Sequence, residues 1–429
     1  MRSPTDPDTT HRQTAVIIGA GVIGLLSALE IQSRGHDVVV VDAGRPGGDQ
    51  SASYGNGAWL NPGAIMPISV PGLWKKIPGY LMDPNGPFVI RWRNLPGLAP
   101  WLWRFVKAGS TWEKIEVCAR HRFALCSDVV DGHLSFARAA GVEHLIRRTG
   151  LMFIYSSKAD AAAEKREWDM RRKLGISFSE VSEAELRRLE PDLAPHYRFA
   201  MRMDDGAFLH DTRAYLEALA ALLVARGGRV LRARASGFLF SGGRLTAVKT
   251  DAETIACSKA VIAAGAHSAP LAGAAGDKVP LVSERGYHIV LPEITGRPRT
   301  ALMPFDGKMA VTPTAAGLRI AGQVELASIS AKPDWRRTDI LHGYAKRMFP
   351  DAVKNIDEAT MQRWLGHRPS TPDGLPSIGP SSGCRDVIHA FGHGHTGMCQ
   401  APATARLVAS FVDGAPPPFS PDAYRPQRF

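Results

Sequence analysis

Cysteine is scarce. The 429 residues hold five, Cys118, Cys126, Cys257, Cys384 and Cys399, with no C-x-x-C pair and an odd total. That spacing indicates neither a disulfide framework nor a zinc site, and each reads as a small buried side chain. Long apolar runs are missing as well, since no window approaches a bilayer span. The apolar stretch 15–29 carries three placed glycines and lacks a basic flank and a small-residue cleavage site, so it reads as fold rather than address. Cytoplasmic residence is the simplest expectation. Repeats and low-complexity segments are absent, and no disorder signature extends beyond the first dozen residues. His288, His367, His393 and His395 do not share one element at ligand spacing, so no metal is expected. Acidic residues are outnumbered, 41 against 52 basic, giving a net charge of +11. That excess suits an acidic ligand or an anionic membrane surface. With no helix-turn-helix, zinc-finger or RNA-binding signature, nucleic acid is not expected as a partner.

What is present starts with length. A chain of 429 residues is long for one core, so two lobes are expected. The organising stretch is 16–42. A short β-branched run leads into Gly19-Ala20-Gly21-Val22-Ile23-Gly24, a helix over 25–34, a turn at Gly35, and a second strand over 37–41 ending at Asp42. This is G-x-G-x-x-G in its required strand–turn–helix context. Gly19 permits the tight turn, Gly21 lets backbone approach a pyrophosphate, and Gly24 lets the helix pack on the strand. The helix start faces the phosphates with free N–H groups, and Asp42 is placed for a ribose diol. On these residues alone the dinucleotide is FAD or NAD.

Ala43-Gly44-Arg45-Pro46-Gly47-Gly48 follows, then Gln50-Ser51-Ala52-Ser53-Tyr54-Gly55-Asn56-Gly57. Small hydroxyls, an Asn and glycines offer donors to a flat polar ring system, although a plain surface loop has the same composition. Through Trp59-Leu60-Asn61-Pro62-Gly63, the first seventy residues resemble the D-amino-acid oxidase-type family of FAD-dependent oxidoreductases. Within it they are most similar to the bacterial D-amino-acid dehydrogenase small-subunit type. The resemblance implies FAD, with Gly19, Gly21, Gly24, Asp42 and Ala43 at the ADP half, and Ser51, Asn56 and Gly57 beside the pyrophosphate and flavin.

Beyond Pro67 the chain turns Pro- and Trp-rich, through Pro71, Trp74, Pro78, Pro84, Pro87, Trp92, Pro96, Pro100, Trp101 and Trp103. Residues 101–107 read either as an interfacial membrane anchor or as a helix start buried against the second lobe. Helical character follows over 111–148, a strand over 151–155, a charged helix over 159–173, and a helix start at Ser182 with Glu185 at capping-box spacing. A helix over 212–226 and strands over 229–231 and 245–249 come next. The run 260–268 is a buried strand ending in a small-residue turn, and Gly265 resembles the family's second dinucleotide contact. Alternation over 280–290 suggests an antiparallel strand with polar residues on one face. Further strands are expected over 309–313 and 318–322, and a helix over 335–349.

The second strong block is Gly366-His367-Arg368-Pro369, followed by Phe391-Gly392-His393-Gly394-His395-Thr396-Gly397 and a helix over 398–412. Glycines again precede a helix, so a second positive helix end can point at a ligand. In the family that the chain resembles this helix faces the flavin, and the resemblance implies Gly394, His395 and Gly397 there. A substrate carboxylate is best gripped by a planar guanidinium. Resemblance to the family's Gly-x-Arg-Pro segment gives that role to Arg368, with Arg285 in reserve. Tyr287 resembles a flavin-face residue whose hydroxyl fixes amine or carboxylate; a buried aromatic packing the sheet is the other reading.

The expected fold class is α/β: a Rossmann-like FAD-binding lobe with a second substrate lobe built on an antiparallel sheet. The FAD lobe comprises 12–66, 204–272 and 373–413, the substrate lobe 67–203 and 273–372, and 1–11 a flexible N-terminus. The expected reaction is FAD-dependent oxidation of a D-amino acid through an imino acid to a 2-oxo acid and ammonia, with electrons passed to a quinone-type acceptor. A D-proline or D-hydroxyproline dehydrogenase is the substrate rival. A non-catalytic flavin-binding subunit with partner chains and an NAD-dependent dehydrogenase are the other classes. Peripheral contact with the inner face of the membrane is expected only on the anchor reading.

Overall fold

The computed structural model describes residues 13–73, 79, 88–91 and 95–429. Trp74, Pro78, Pro84, Pro87 and Trp92, and the 1–11 tail, lie outside the described residues.

Strand Thr14–Ile18 is the centre of a six-stranded sheet. Asp37–Asp42 flanks it on one side and Lys259–Ile262 on the other, both parallel, with Val16 opposite Val39 and Ala260. Arg229–Arg232 extends one edge in parallel, Val387–Phe391 the other, and Ser377–Pro380 closes that edge antiparallel. These strands are apolar without alternation because both faces are covered. On one face helices Val22–Ser33, Thr212–Ala225 and Gly397–Asp413 bury Ile17, Leu25, Leu29, Leu219 and Leu407 in one cluster. On the other, a three-stranded sheet (Ala235–Ser241, Arg244–Thr250, Thr254–Ala256) and helix Ser268–Ala274 cover Val16, Val39 and Ile262. Helices Trp112–Cys126 and Val129–Ala139 add Leu125, Val129 and Leu134 to the first cluster, although they fall between the segments that the sequence reading gave to this lobe.

The second sheet has nine strands. Its path runs Gln362–Ser370, Val282–Leu291, Gly317–Leu326, Ala310–Thr314, Ala301–Pro304, Leu151–Tyr155, Phe199–Met203 and Ser179–Val181, and Phe88–Ile90 also pairs with Gly317–Leu326. Most neighbours are antiparallel, as expected. Two pairings are parallel, Ala301–Pro304 with Leu151–Tyr155 and Phe88–Ile90 with Gly317–Leu326, so the sheet is mixed. Helix Arg336–Met348 packs one face, bringing Leu341, Ala345 and Met348 against Ile289 and Ile320.

Val282–Leu291 is antiparallel to both neighbours as expected, and it is buried from Ser283 to Leu291 with Glu284 on the cavity side. One local expectation is corrected. The charged helix is two helices, Lys158–Ala163 and Lys165–Lys173, broken at Glu164 with φ −100 and ψ 13. Glu164 turns its carboxylate inward to the Tyr155 hydroxyl and Lys308. In helix Leu95–Ala108, Trp101 and Phe105 stack at 5.0 Å in a cluster with Ile90 and Leu326, while Trp103 is 64% exposed under Lys107. Among the described residues no helix is long and apolar enough to cross a membrane.

Candidate active site

The carboxyl ends of the parallel strands and the inner face of the nine-stranded sheet enclose a cavity of about 940 Å³. Gly19 has φ +118, and a Cβ there would lie 2.3 Å from the Ala263 carbonyl oxygen; one on Gly24 would lie 1.8 Å from the Gly19 oxygen. Only glycine fits either position. Gly21 precedes helix Val22–Ser33 in extended backbone, and Ser53 Oγ accepts the Val22 N–H at 3.0 Å. Asp42 accepts from the Ala20 N–H at 2.7 Å and the Gly44 N–H at 2.8 Å, tying the end of its strand to the glycine turn. The anticipated residues Gly19, Gly21, Asp42, Ala43, Ser51, Asn56, Gly57, Gly265, Gly394, His395 and Gly397 all line the cavity. Gly24 stands behind the wall, where it sets helix–strand contact.

Helix Gly397–Asp413 starts at the other end of the cavity with no side-chain cap, leaving its first N–H groups for a ligand. Arg122 braces this end by donating to Ala64 O, Gly374 O and Thr396 Oγ1. Desolvation, reinforced by the Arg122 charge, holds the buried His393 down at about 3 and lowers His395, whose ring is open to the cavity, to about 4. Both imidazoles are therefore neutral at physiological pH.

On the facing sheet Arg368 lies flat over Gly286, where a Cβ would meet its guanidinium at 2.3 Å. Nη1 donates to Glu284 Oε1 and to the Gln323 carbonyl, each at 3.0 Å, and Nη2 reaches the Gly322 carbonyl at 3.4 Å. Glu284 also accepts from Ser370 Oγ at 2.9 Å. Arg368 Nε makes no hydrogen bond among the described residues, so one edge of the fork is free for an anion.

Arg285 and Tyr287 are corrected. Strand alternation puts them on the face opposite Glu284 and Gly286. Arg285 is fully buried, pairs with Glu325 at 3.3 Å and does not line the cavity, so it is no reserve for Arg368. Tyr287 reaches the wall, but its hydroxyl donates to Glu325 at 2.6 Å and accepts the Asp334 N–H at 3.1 Å. It is the buried aromatic of the two readings. The sequence reading missed Ser53 as the helix cap and Glu284 as the partner of Arg368. Neither was legible locally, since Ser53 caps a helix 31 positions earlier in the chain and Glu284 meets Arg368 across a strand pairing.

A glycine turn that admits no side chain, two helix starts facing one elongated cavity and a carboxylate at the end of the second strand suit a dinucleotide. Residues 14–411 match the family described as DAO, FAD dependent oxidoreductase. The chain belongs to this family. A D-amino-acid oxidase from Bradyrhizobium diazoefficiens is 42% identical over 423 residues, covering 99% of this chain and 100% of the relative. A D-amino acid dehydrogenase from Rhizorhabdus wittichii is 29% identical, covering 94% and 96%. The fold matches glycine oxidase from Geobacillus kaustophilus with a TM-score of 0.73 at 20% identity, over 98% of this chain and 99% of that one. The protein is thus an FAD-dependent oxidoreductase, which sets aside NAD as its dinucleotide. Among the described residues of this flavoenzyme, no group of three or more His, Cys, Asp or Glu could hold a metal ion.

Proposed function

We propose that the enzyme oxidises a D-amino acid to the imino acid, which water converts to a 2-oxo acid and ammonia. The observation that carries this reading is Arg368, a half-paired guanidinium with a free edge inside the cofactor cavity. The name of the 42% identical relative supports the D-amino acid.

Segments 12–66, 204–272 and 373–413 are taken as the FAD-binding unit, a division supported by the six-stranded sheet, which draws every strand from them. Gly19, Gly21, Asp42 and Ala43 would hold the ADP half, with Gly24 setting the turn. Ser51, Asn56, Gly57 and Gly265 would flank the middle, and Gly394, His395 and Gly397 the flavin end. FAD, when bound, supplies the two-electron acceptor for the hydride leaving the α-carbon. The chain's own part is to bind, orient and exclude water. Arg368 would fix the carboxylate so that the α-carbon, rather than the side chain, faces the cofactor. His367 and His395, each held at about 4 chiefly by desolvation, cannot take a proton from an ammonium group near neutrality. Substrate is therefore taken as the neutral amine.

The sequence expectation of a quinone-type acceptor is supported by relatives named dehydrogenase, and dioxygen by the relative named oxidase. The deciding experiment is anaerobic addition of D- and L-amino acids to the yellow protein, followed by air or quinone. Bleaching by D-enantiomers supports the reading; bleaching by none sinks it. Which acceptor restores colour faster decides between the two.

A further inference from the structure

Beyond Arg368 the cavity continues into a recess that the proposed chemistry does not use. Its floor carries Phe153 and Tyr155 from strand Leu151–Tyr155, with Met303 and Phe305 beside them, and its side is helix Lys165–Lys173 with Glu167, Trp168 and Arg171. Trp168 meets Phe153 edge-on at 5.1 Å, and Tyr155 sits 5.5 Å from Phe305.

Four charges face this recess, and three are already engaged. Glu164 accepts from the Tyr155 hydroxyl at 2.7 Å and pairs with Lys308, whose ammonium lies 4.6 Å over the Phe305 ring. The Arg171 guanidinium stacks 4.6 Å over Trp168 and 5.7 Å over Phe153, donating to the Gly63 carbonyl at 3.3 Å. The fourth is Glu167. Among the described residues it makes no hydrogen bond or ion pair. Burial, with Glu164 adding to it, raises its carboxyl above the usual range against the pull of Arg171 and Lys308. An incoming cation would reverse that shift.

The recess lies across the nine-stranded sheet from Arg368. The Arg368 guanidinium rests on the third strand of the sheet path, Gly317–Leu326, and the recess floor Leu151–Tyr155 is the sixth. Three strand spacings amount to about 14 Å, so only a long side chain reaches from one to the other.

We propose that this recess is the side-chain subsite and that Glu167 selects a long cationic side chain, as in D-arginine or D-lysine. The proposal rests on the reading of Arg368 and a D-amino-acid substrate given above. Its test is initial-rate kinetics of the FAD-loaded enzyme with D-arginine, D-lysine, D-norleucine and D-alanine, for the parent, Glu167→Gln and Glu167→Lys. D-Arginine and D-lysine should have the highest kcat/KM in the parent. Glu167→Gln should raise KM for D-arginine by roughly 10- to 100-fold more than for D-norleucine, with the loss in KM rather than kcat. Glu167→Lys should put D-norleucine ahead of D-lysine. Preference of the parent for D-norleucine over D-lysine, or equal losses for both in Glu167→Gln, overturns the subsite assignment and leaves the D-amino-acid reading intact. Failure of every D-amino acid to reduce the flavin overturns both.

Discussion

Arg368 and Glu284 stand directly opposite in the pairing of Gln362–Ser370 with Val282–Leu291. Arg368 therefore carries two loads, the substrate carboxylate in the proposed reaction and the charge of a buried acid. Losing a desolvated charge-assisted pair costs about 2–5 kcal/mol, so Arg368→Ala should lower kcat/KM by roughly 30- to several-thousand-fold while FAD stays bound. Arg368→Lys keeps the charge without the fork and should recover only part. An amine lacking the carboxylate should be a poor substrate for the parent and be little affected by Arg368→Ala. Among the described residues Arg368→Ala also leaves Glu284, 3% exposed, with Ser370 Oγ as the one hydrogen-bond partner of its carboxylate. Glu284→Gln in that background should raise the melting temperature without restoring turnover, because it removes an uncompensated buried charge. A double variant no more stable than Arg368→Ala would contradict this. Because His367 and His395 sit near 4, the alkaline rise of kcat/KM should track the substrate's amine. Replacing the substrate with one of lower amine pKa should move the rise by the same amount, and a fixed midpoint would assign it to the protein.

Among elements, the start of helix Val22–Ser33 is the most constrained. Ser53→Ala removes the acceptor of the Val22 N–H and should cost about 1 kcal/mol of stability. Gly19→Ala should be far worse, since φ +118 and the Ala263 carbonyl both forbid a Cβ, and should give protein that does not retain flavin. Equilibrium denaturation and the flavin absorbance of purified protein measure both. This turn, its helix and strand Asp37–Asp42 were legible because each is specified by residues next to one another. Strand Gln362–Ser370 was not. Its Gly366 and Pro369 argue against a strand locally, and it exists because it pairs along its length with Val282–Leu291, from Val282 opposite Ser370 to Val290 opposite Gln362. Glu284 was missed for the same reason, its meaning lying across that pairing. Strand Ala235–Ser241 had a local signal that went unread, since Gly242 and Gly243 both take positive φ at its hairpin. The break at Glu164 could not be read from a helical run, because the partners of its carboxylate, Tyr155 and Lys308, lie on other elements.

At the scale of the whole molecule, three buried imidazoles dominate the response to acid. Desolvation lowers His133 to about 4, and His288 and His393 to about 3. The unfolded chain binds their protons first, so their contribution is complete above the unfolded value near 6.5 and is lost as pH falls toward the folded values. Glu190 works against them. Burial raises it to about 7, so its folded form holds a proton that the unfolded form gives up between about pH 4.5 and 7. Glu167, raised as well, adds to Glu190, while His367 at about 4 and Asp386 at about 2 add to the imidazoles, so stability rises with pH overall. The melting temperature of the FAD-loaded protein should be higher at pH 7.5 than at pH 5, and a flat or inverted profile would show that these side chains are not buried as described.

The position of Val387–Phe391 between Lys259–Ile262 and Ser377–Pro380 has a consequence for synthesis. Among the described strands Thr14–Ile18 is made first and waits for Lys259–Ile262 to cover its second edge, and that neighbour waits in turn for Val387–Phe391, much further along the chain. Until then two apolar, uncapped edges stand open in the nascent chain, a state prone to pairing with other chains. Translation rate and chaperone supply should therefore govern yield more than codon-level changes confined to the last helix. A message stopped after codon 372 should deliver protein to inclusion bodies, since the partners that finish the sheet would never be made.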